Sequence, residues 1–299
     1  MEGEIQKTLR GDQMRQLTVI SGKGGTGKTT LTGAFAALAE GAVIADCDVD
    51  APDLHLILHP EIKEEKKFSG MKLASINHEK CINCRKCYEN CKFDAITDDL
   101  RVNELKCEGC GVCVYVCPVN AVEFKERDSG ILYISETRFG PMVHARLNIG
   151  EETSGKLVSL VRSTAREIAE KRKKDLIIID GSPGIGCPVI ASLTDSDLAL
   201  IVTEPTLSGL HDLKRVYEVS KHFGIKTMVC INKYDINREN SEKIEKFCME
   251  NGIEIAGEIP YDPDFTKAMI EEKTIIEYND NPLVREIWEK IKEVMQSLS

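Results

Sequence analysis

The 299-residue chain carries 39 Lys and Arg against 49 Asp and Glu, a net charge of −10, and is 42% hydrophobic. That balance excludes a disordered chain, and the acidic excess argues against non-specific nucleic-acid binding. No apolar run reaches the roughly 18 residues of a membrane span. The start lacks the apolar stretch of a signal peptide, so the sequence predicts a cytoplasmic protein with no membrane or nucleic-acid partner.

Residues 1–13 are polar and aperiodic and read as a flexible lead. The run Leu17-Thr18-Val19-Ile20 predicts a buried strand. Directly after it, Gly22-Lys23-Gly24-Gly25-Thr26-Gly27-Lys28-Thr29 fits G-x-x-x-x-G-K-[ST], and an Ala-rich helical stretch, Thr29–Ala39, follows. Strand, glycine-rich loop and helix in that order form a phosphate cradle. The glycines let backbone N–H groups turn inward, and the helix N-terminus adds partial positive charge. Lys28 reaches the β and γ phosphates, and the Thr29 hydroxyl takes Mg²⁺. The next strand, Ala42–Ala45, runs into Asp46-Cys47-Asp48, and Leu54–Leu58 reads as a short apolar helix.

Between about His59 and Gly130 this alternation breaks, and eight of the 12 cysteines fall between Cys81 and Cys117. Without a secretion signal they read as metal ligands and free thiols rather than disulfides. The stretch repeats itself 26 residues apart: Cys81, Cys84, Cys87 and Cys91, followed by Asp94-Ala95-Ile96, match Cys107, Cys110, Cys113 and Cys117, followed by Asn120-Ala121-Val122. Both quartets read C-x2-C-x2-C-x3-C. Soft thiolates at this density suit iron–sulfur or zinc, and zinc knuckles usually stand farther apart.

Past this insert, strands Leu176–Ile179, Leu198–Val202, Met228–Ile231 and Ile253–Ile259 alternate with helices Lys156–Arg172, Leu207–His222 and Ser241–Met249. This predicts a parallel sheet covered on both faces. Asp180 ends the first of these strands, and Asn232-Lys233-Tyr234-Asp235, after the third, matches the guanine motif N-K-x-D as text. Leu283, Val284, Ile287, Trp288, Ile291, Val294, Met295 and Leu298 have helical spacing, and the polar face lacks a basic excess, so this helix packs against the sheet. Cys47, Cys230 and Cys248 fall on strand or helix patterns and read as core. Cys187 reads either as a buried inert thiol or as a residue with a partner-cluster or redox role.

With its second lysine, Lys23, the glycine-rich loop resembles the deviant Walker A ATPases, the MinD/ParA family. The resemblance covers nearly all of residues 14–299. It implies ATP and ADP as ligands with Mg²⁺, and a homodimer in which Lys23 crosses a nucleotide sandwich to the partner's phosphates. Gly22 to Thr30, including Thr30 itself, would cradle the nucleotide. Asp48 would orient the attacking water or hold Mg²⁺ through water, and Asp180 would bind Mg²⁺ or its water. Asn232 would contact adenine, with Lys233, Pro260 and Tyr261 on the base side. The family's iron protein of nitrogenase has a cysteine where Cys187 stands, but the second cysteine such a site needs has no counterpart in Gly150–Lys156. The quartets resemble a two-cluster ferredoxin, in which the fourth cysteine of each run crosses over. Cys81, Cys84, Cys87 and Cys117 would hold one [4Fe–4S] cluster, and Cys91, Cys107, Cys110 and Cys113 the other. Lys92 follows Cys91 where Pro118 follows Cys117, a departure from the ferredoxin pattern.

The expectation is an α/β P-loop ATPase over 14–60 and 131–299, a mostly parallel sheet with helices on both faces, carrying an inserted ferredoxin-like α+β domain over 61–130. Its expected activity is ATP hydrolysis coupled to electron transfer, with an unidentified redox or metallocofactor partner. An iron–sulfur or metallocofactor assembly carrier is the alternative. A positioning ATPase without redox chemistry is a third reading.

Overall fold

The computed structural model describes residues 14–148, 151 and 154–298; the lead expected over 1–13 lies outside them. The elements run β1 (Arg15–Ile20), α1 (Lys28–Leu38), β2 (Val43–Asp46), α2 (Leu54–Leu58), β3 (Glu61–Phe68), β4 (Lys72–Ile76), α3 (Lys86–Glu89), α4 (Val112–Tyr115), β5 (Val122–Glu126), β6 (Gly130–Thr137), β7 (Gly140–Leu147) and α5 (Ser154–Arg172). They continue with β8 (Leu176–Asp180), α6 (Cys187–Leu193), β9 (Leu198–Thr203), α7 (Leu207–His222), β10 (Lys226–Asn232), α8 (Arg238–Glu250), β11 (Glu254–Ile259), α9 (Asp264–Ile270), α10 (Ile275–Asn279) and α11 (Pro282–Ser297).

One sheet has the strand order β11-β10-β9-β1-β8-β2-β7-β6-β3. β1 pairs in parallel with β8 and β9, β2 with β8 and β7, and β10 with β9 and β11. Successive side chains of a strand point to opposite faces, and here the two sets enter two cores. Leu198, Leu200, Val202, Met228 and Cys230 pack with Leu31, Phe35, Trp288 and Ile291. Ala199, Ile201, Val229 and Ile231 pack with Val189, Leu213, Val216 and Ile244. Helices therefore cover both faces, which is why these strands read as unbroken apolar runs. α11 buries Val284, Ile287, Trp288, Ile291 and Met295 against the sheet, and Trp288 stacks on Phe35 with ring centroids 5.4 Å apart.

β3, β6 and β7 have no counterpart among the predicted strands. β3 reads Glu-Ile-Lys-Glu-Glu-Lys-Lys-Phe, with seven of its eight residues exposed, so it shows no apolar alternation to read. It ends the strand order, and lysines on an edge strand discourage further pairing. α8 starts at Arg238, three residues before the apolar pattern, because the Asn237 side chain caps it by accepting from Asn240 N.

Residues Lys66–Ile131, with the described residues of 147–153, form one compact unit, and the rest of the described chain forms another. Within the smaller unit the repeat is structural. α3 and α4 occupy equivalent positions 26 residues apart. Asn83, Arg85 and Asp94 have positive φ, as do their counterparts Gly109, Gly111 and Asn120. Ile76 pairs with Val122, and Ile96 with Val102, so each half lends a strand partner to the other.

Candidate nucleotide site and cysteine cavities

The parallel strands end on one edge of the sheet, where ligands bind in folds of this kind. The loop after β1 turns with Gly25 at φ 79° and Gly27 at φ 94°, the left-handed region that glycine enters without strain. A Cβ on Gly27 would stand 2.3 Å from Asn232 Nδ2. Glycine thus lets Asn232, at the end of β10, donate to Thr26 O at 2.8 Å and brace the loop.

Lys28 opens α1, is buried, and donates to Asp180 Oδ1 at 2.9 Å, with Asp48 Oδ2 at 3.9 Å. Thr29 Oγ1 donates to Asp180 Oδ2 at 2.8 Å and Thr32 Oγ1 to Oδ1 at 2.9 Å. Burial works against the Lys28 ammonium, but the Asp180 carboxylate outweighs it and the pKa is raised. Burial, opposed by Lys28, lifts Asp48 to about 6. Asp46 is pushed well above the usual carboxylate range by burial and then by Asp180. Two buried polar atoms here, Thr26 Oγ1 and Asp46 Oδ2, have no partner. A phosphate-bound Mg²⁺ and its waters fit this donor set: the Thr29 hydroxyl beside two strand-end carboxylates, with unpaired oxygens behind.

A cleft of about 710 Å³ opens over the loop. Gly24, Gly25, Gly27, Lys28, Thr29, Thr30 and Asp48 line it, as do Asn232, Lys233, Pro260 and Tyr261. The sequence did not single out the apolar lining residues Leu56, Ile57, Phe265 and Met269. Gly22, Lys23 and Thr26 are not among the lining residues. Gly22 faces α7 instead, where a Cβ would meet Asp212 at 2.3 Å. Lys23 is held inside its own chain, with Nζ 2.6 Å from Glu204 Oε1 and donating to Thr206 and Ser208 hydroxyls at 3.2 and 3.1 Å. Lys233 Nζ reaches the other Glu204 oxygen at 3.5 Å. Sequence reading missed Glu204; its signal is the one that flags Asp180, an acid just past a buried parallel strand. Asp235 accepts from Tyr261 N at 2.6 Å and does not line the cleft.

All 12 cysteines are free thiols. Cys91, Cys107, Cys110 and Cys113 line one small cavity, with Phe93, Ile96 and Val112. Cys81, Cys84, Cys87 and Cys117 line a second, with Ile82, Ile76 and Val119. Each cavity combines three cysteines of one half with the fourth of the other. Ala95 N donates to Cys91 Sγ at 3.4 Å, and its counterpart Ala121 N to Cys117 Sγ at 3.2 Å. Burial opposes the Cys117 thiolate, but backbone N–H groups of Val119, Ala121, Val122 and Asn120 together outweigh it and lower the pKa, whereas burial lifts Cys113 to about 11. Among the described residues, no three His, Cys, Asp or Glu side chains are arranged to hold a single metal ion. Cys47, Cys230 and Cys248 are buried, and burial lifts each thiol to about 12. Cys187 is exposed at the start of α6, which corrects the reading of a buried thiol.

The parallel sheet, the loop between β1 and α1, and the converging Lys28, Thr29 and Asp180 define a P-loop nucleotide-binding protein. The model of the CobQ/CobB/MinD/ParA nucleotide-binding domain matches residues 17–275, and the chain belongs to that family. An uncharacterized protein of Methanocaldococcus jannaschii is 35% identical over 283 residues, 93% of this chain and 96% of that one. The pyruvate synthase subunit PorD of the same organism is 37% identical over 51 residues, 16% of this chain and 59% of the subunit. The septum site-determining protein MinD of Pyrococcus horikoshii, solved with Mg-ADP, shares the fold at TM-score 0.58 and 17% identity, over 96% of this chain and 99% of that one. Among the described residues no helix is long and apolar enough to cross a membrane.

Proposed function

We propose that the chain is a Mg²⁺-dependent ATPase that works as a nucleotide-sandwich homodimer and carries two [4Fe–4S] clusters, linking nucleotide state to electron transfer with a partner protein. The observation that carries this reading is the presence, in one chain, of the family's phosphate cradle and of two cavities each lined by a crossed cysteine quartet. A single tetrahedral ion draws thiolates to within ~4 Å of one another. A four-iron cluster stands between its thiolates, in keeping with cavities that lack a single-ion arrangement.

In this reading Lys28 and the loop N–H groups bind the phosphates, and Thr29 and Asp180 hold Mg²⁺, which neutralises developing phosphate charge. Asp48, at a pKa of about 6, is mostly ionised at neutral pH and orients the attacking water. Lys23 exchanges Glu204 for the partner's phosphates. Asp235 accepts from Tyr261 N and does not line the cleft, so the N-K-x-D text places no carboxylate in the cleft for a guanine edge, which favours adenine. Exposed Cys84 and Cys110 favour a second reading, in which the clusters are cargo that an acceptor can reach.

Anaerobic reconstitution tests both halves. Iron content and ATP hydrolysis are measured before and after turnover. Retention of about eight iron atoms per chain supports the electron carrier. Transfer of iron to an apo-acceptor supports the assembly carrier. Protein that hydrolyses ATP but takes up no iron sinks the cluster assignment.

A further inference from the structure

The chain enters and leaves the cysteine-rich stretch Lys66–Ile131 through β3 and β6. Shortly before β3, the chain lines the nucleotide cleft through Asp48, Asp50, Ala51, Asp53, Leu56 and Ile57, ending in α2. β6 runs straight into the turn Arg138–Phe139. One side chain joins these two stretches. Arg138 Nη2 donates to Ile57 O at 2.8 Å and Nη1 to Leu58 O at 2.9 Å, which satisfies the last carbonyls of α2. The same guanidinium donates through Nε and Nη2 to the two Glu277 oxygens at 2.6 and 2.8 Å.

Glu277 is itself fixed. It closes the capping box of α10, accepting from Thr274 N at 2.8 Å and Thr274 Oγ1 at 2.9 Å. α10 packs on α9, whose Phe265, Thr266 and Met269 line the same cleft as Leu56 and Ile57. The Arg138 guanidinium also lies 4.7 Å over the Phe139 ring, and Phe139 packs on Leu54, Ile57, Leu58 and Met142. A planar fork shared by two carbonyls and a carboxylate fixes geometry, which a lysine point charge does not. A partly exposed pair of this kind adds little stability by itself. Its consequence is connection: one guanidinium ties the end of α2 and the first turn of α10 to the turn that ends β6.

We propose that Arg138 is a positioning residue that converts occupancy of the nucleotide cleft into a change in β3 and β6, the strands that flank the cysteine-rich stretch Lys66–Ile131. This rests on the nucleotide-binding reading above. Hydrogen exchange is measured on the full chain with and without Mg-ATP, and affinity for a fluorescent ATP analogue is measured in parallel. In the wild type, Mg-ATP slows exchange in the loop 22–30 and also across 61–68 and 130–137. In Arg138→Ala, the loop stays protected and affinity persists, while the response of 61–68 and 130–137 is lost. Arg138→Lys keeps the charge but not the fork, and behaves like Arg138→Ala. An undiminished response in Arg138→Ala overturns the proposal, as does a wild type that binds nucleotide without any response in the two strands. A wild type that binds no nucleotide removes the functional reading itself, and the affinity measurement shows this separately. Should Arg138→Ala fail to fold, Glu277→Gln keeps a capping-box amide and removes the anionic end of the fork. A full strand response in that variant equally overturns the proposal.

Discussion

Lys28 is a buried ammonium whose charge is compensated by Asp180 at 2.9 Å, so the phosphate site is assembled around one cation. Lys28→Ala is expected to abolish ATP binding, because a charge-assisted contact is lost and Asp180 is left buried without its partner. Lys23 differs: it is paired with Glu204 away from the cleft lining. Lys23→Ala is therefore expected to keep ATP binding and lose most hydrolysis, as read by equilibrium binding and phosphate release. Unchanged turnover would remove the sandwich-dimer reading. His144 belongs to the same scale. It is buried between the Tyr133 ring at 5.0 Å and the His55 ring at 6.4 Å, with Nε2 3.0 Å from Ser135 Oγ. Burial, and then His55, lower its pKa from 6.5 to about 4. The unfolded chain takes up this proton below 6.5 while the fold resists it until about 4. Stability is therefore lost as pH falls through that window, by at most roughly 3 kcal/mol. Urea titrations at pH 7 and 4.5 should show a smaller acid loss in His144→Gln. An equal loss in both proteins would mean that other groups dominate acid unfolding.

At the scale of elements, legibility follows burial. β1, β8, β9 and β10 are buried on both faces and read as apolar runs, and the glycine-rich loop is written in residue types that the phosphate cradle demands. β3 could not be read, because an exposed, charged edge strand has no hydrophobic period. The cleft's apolar lining was equally hidden, because Leu56, Ile57, Phe265 and Met269 come from two helices far apart in sequence. Glu204 was legible in principle, since an acid after a buried strand is the signal that marked Asp180. α11 was readable because its period is that of a helix with one buried face. Trp288 is 3% exposed and stacked on Phe35, so Trp288→Ala should cost ~3–5 kcal/mol by cavity formation. Equilibrium unfolding checks this, and a cost below 1 kcal/mol would mean that the neighbouring core collapses to fill the space.

For the whole molecule, the issue is whether the two halves of the cysteine repeat act separately or through exchange of their fourth ligands. Strand pairing already exchanges, with Ile76 on Val122 and Ile96 on Val102. The cavities do the same, with Cys117 among Cys81, Cys84 and Cys87, and Cys91 among Cys107, Cys110 and Cys113. Under the proposed ligation, reconstituted wild type holds about eight iron atoms, and Cys117→Ser about four, because one cubane loses a thiolate and the other keeps its full set. That result alone does not identify which cubane is lost. A second substitution does, because losses at a shared cluster do not add whereas losses at separate clusters do. Cys84→Ser added to Cys117→Ser should leave iron at about four per chain, since both residues serve the same cluster. Cys110→Ser added to Cys117→Ser should bring iron close to zero. The mirror pair, Cys91→Ser with Cys110→Ser or with Cys84→Ser, should give about four and close to zero in turn. Reversal of these pairings would show that each run of four cysteines keeps its own cluster, and the crossed ligation would be wrong.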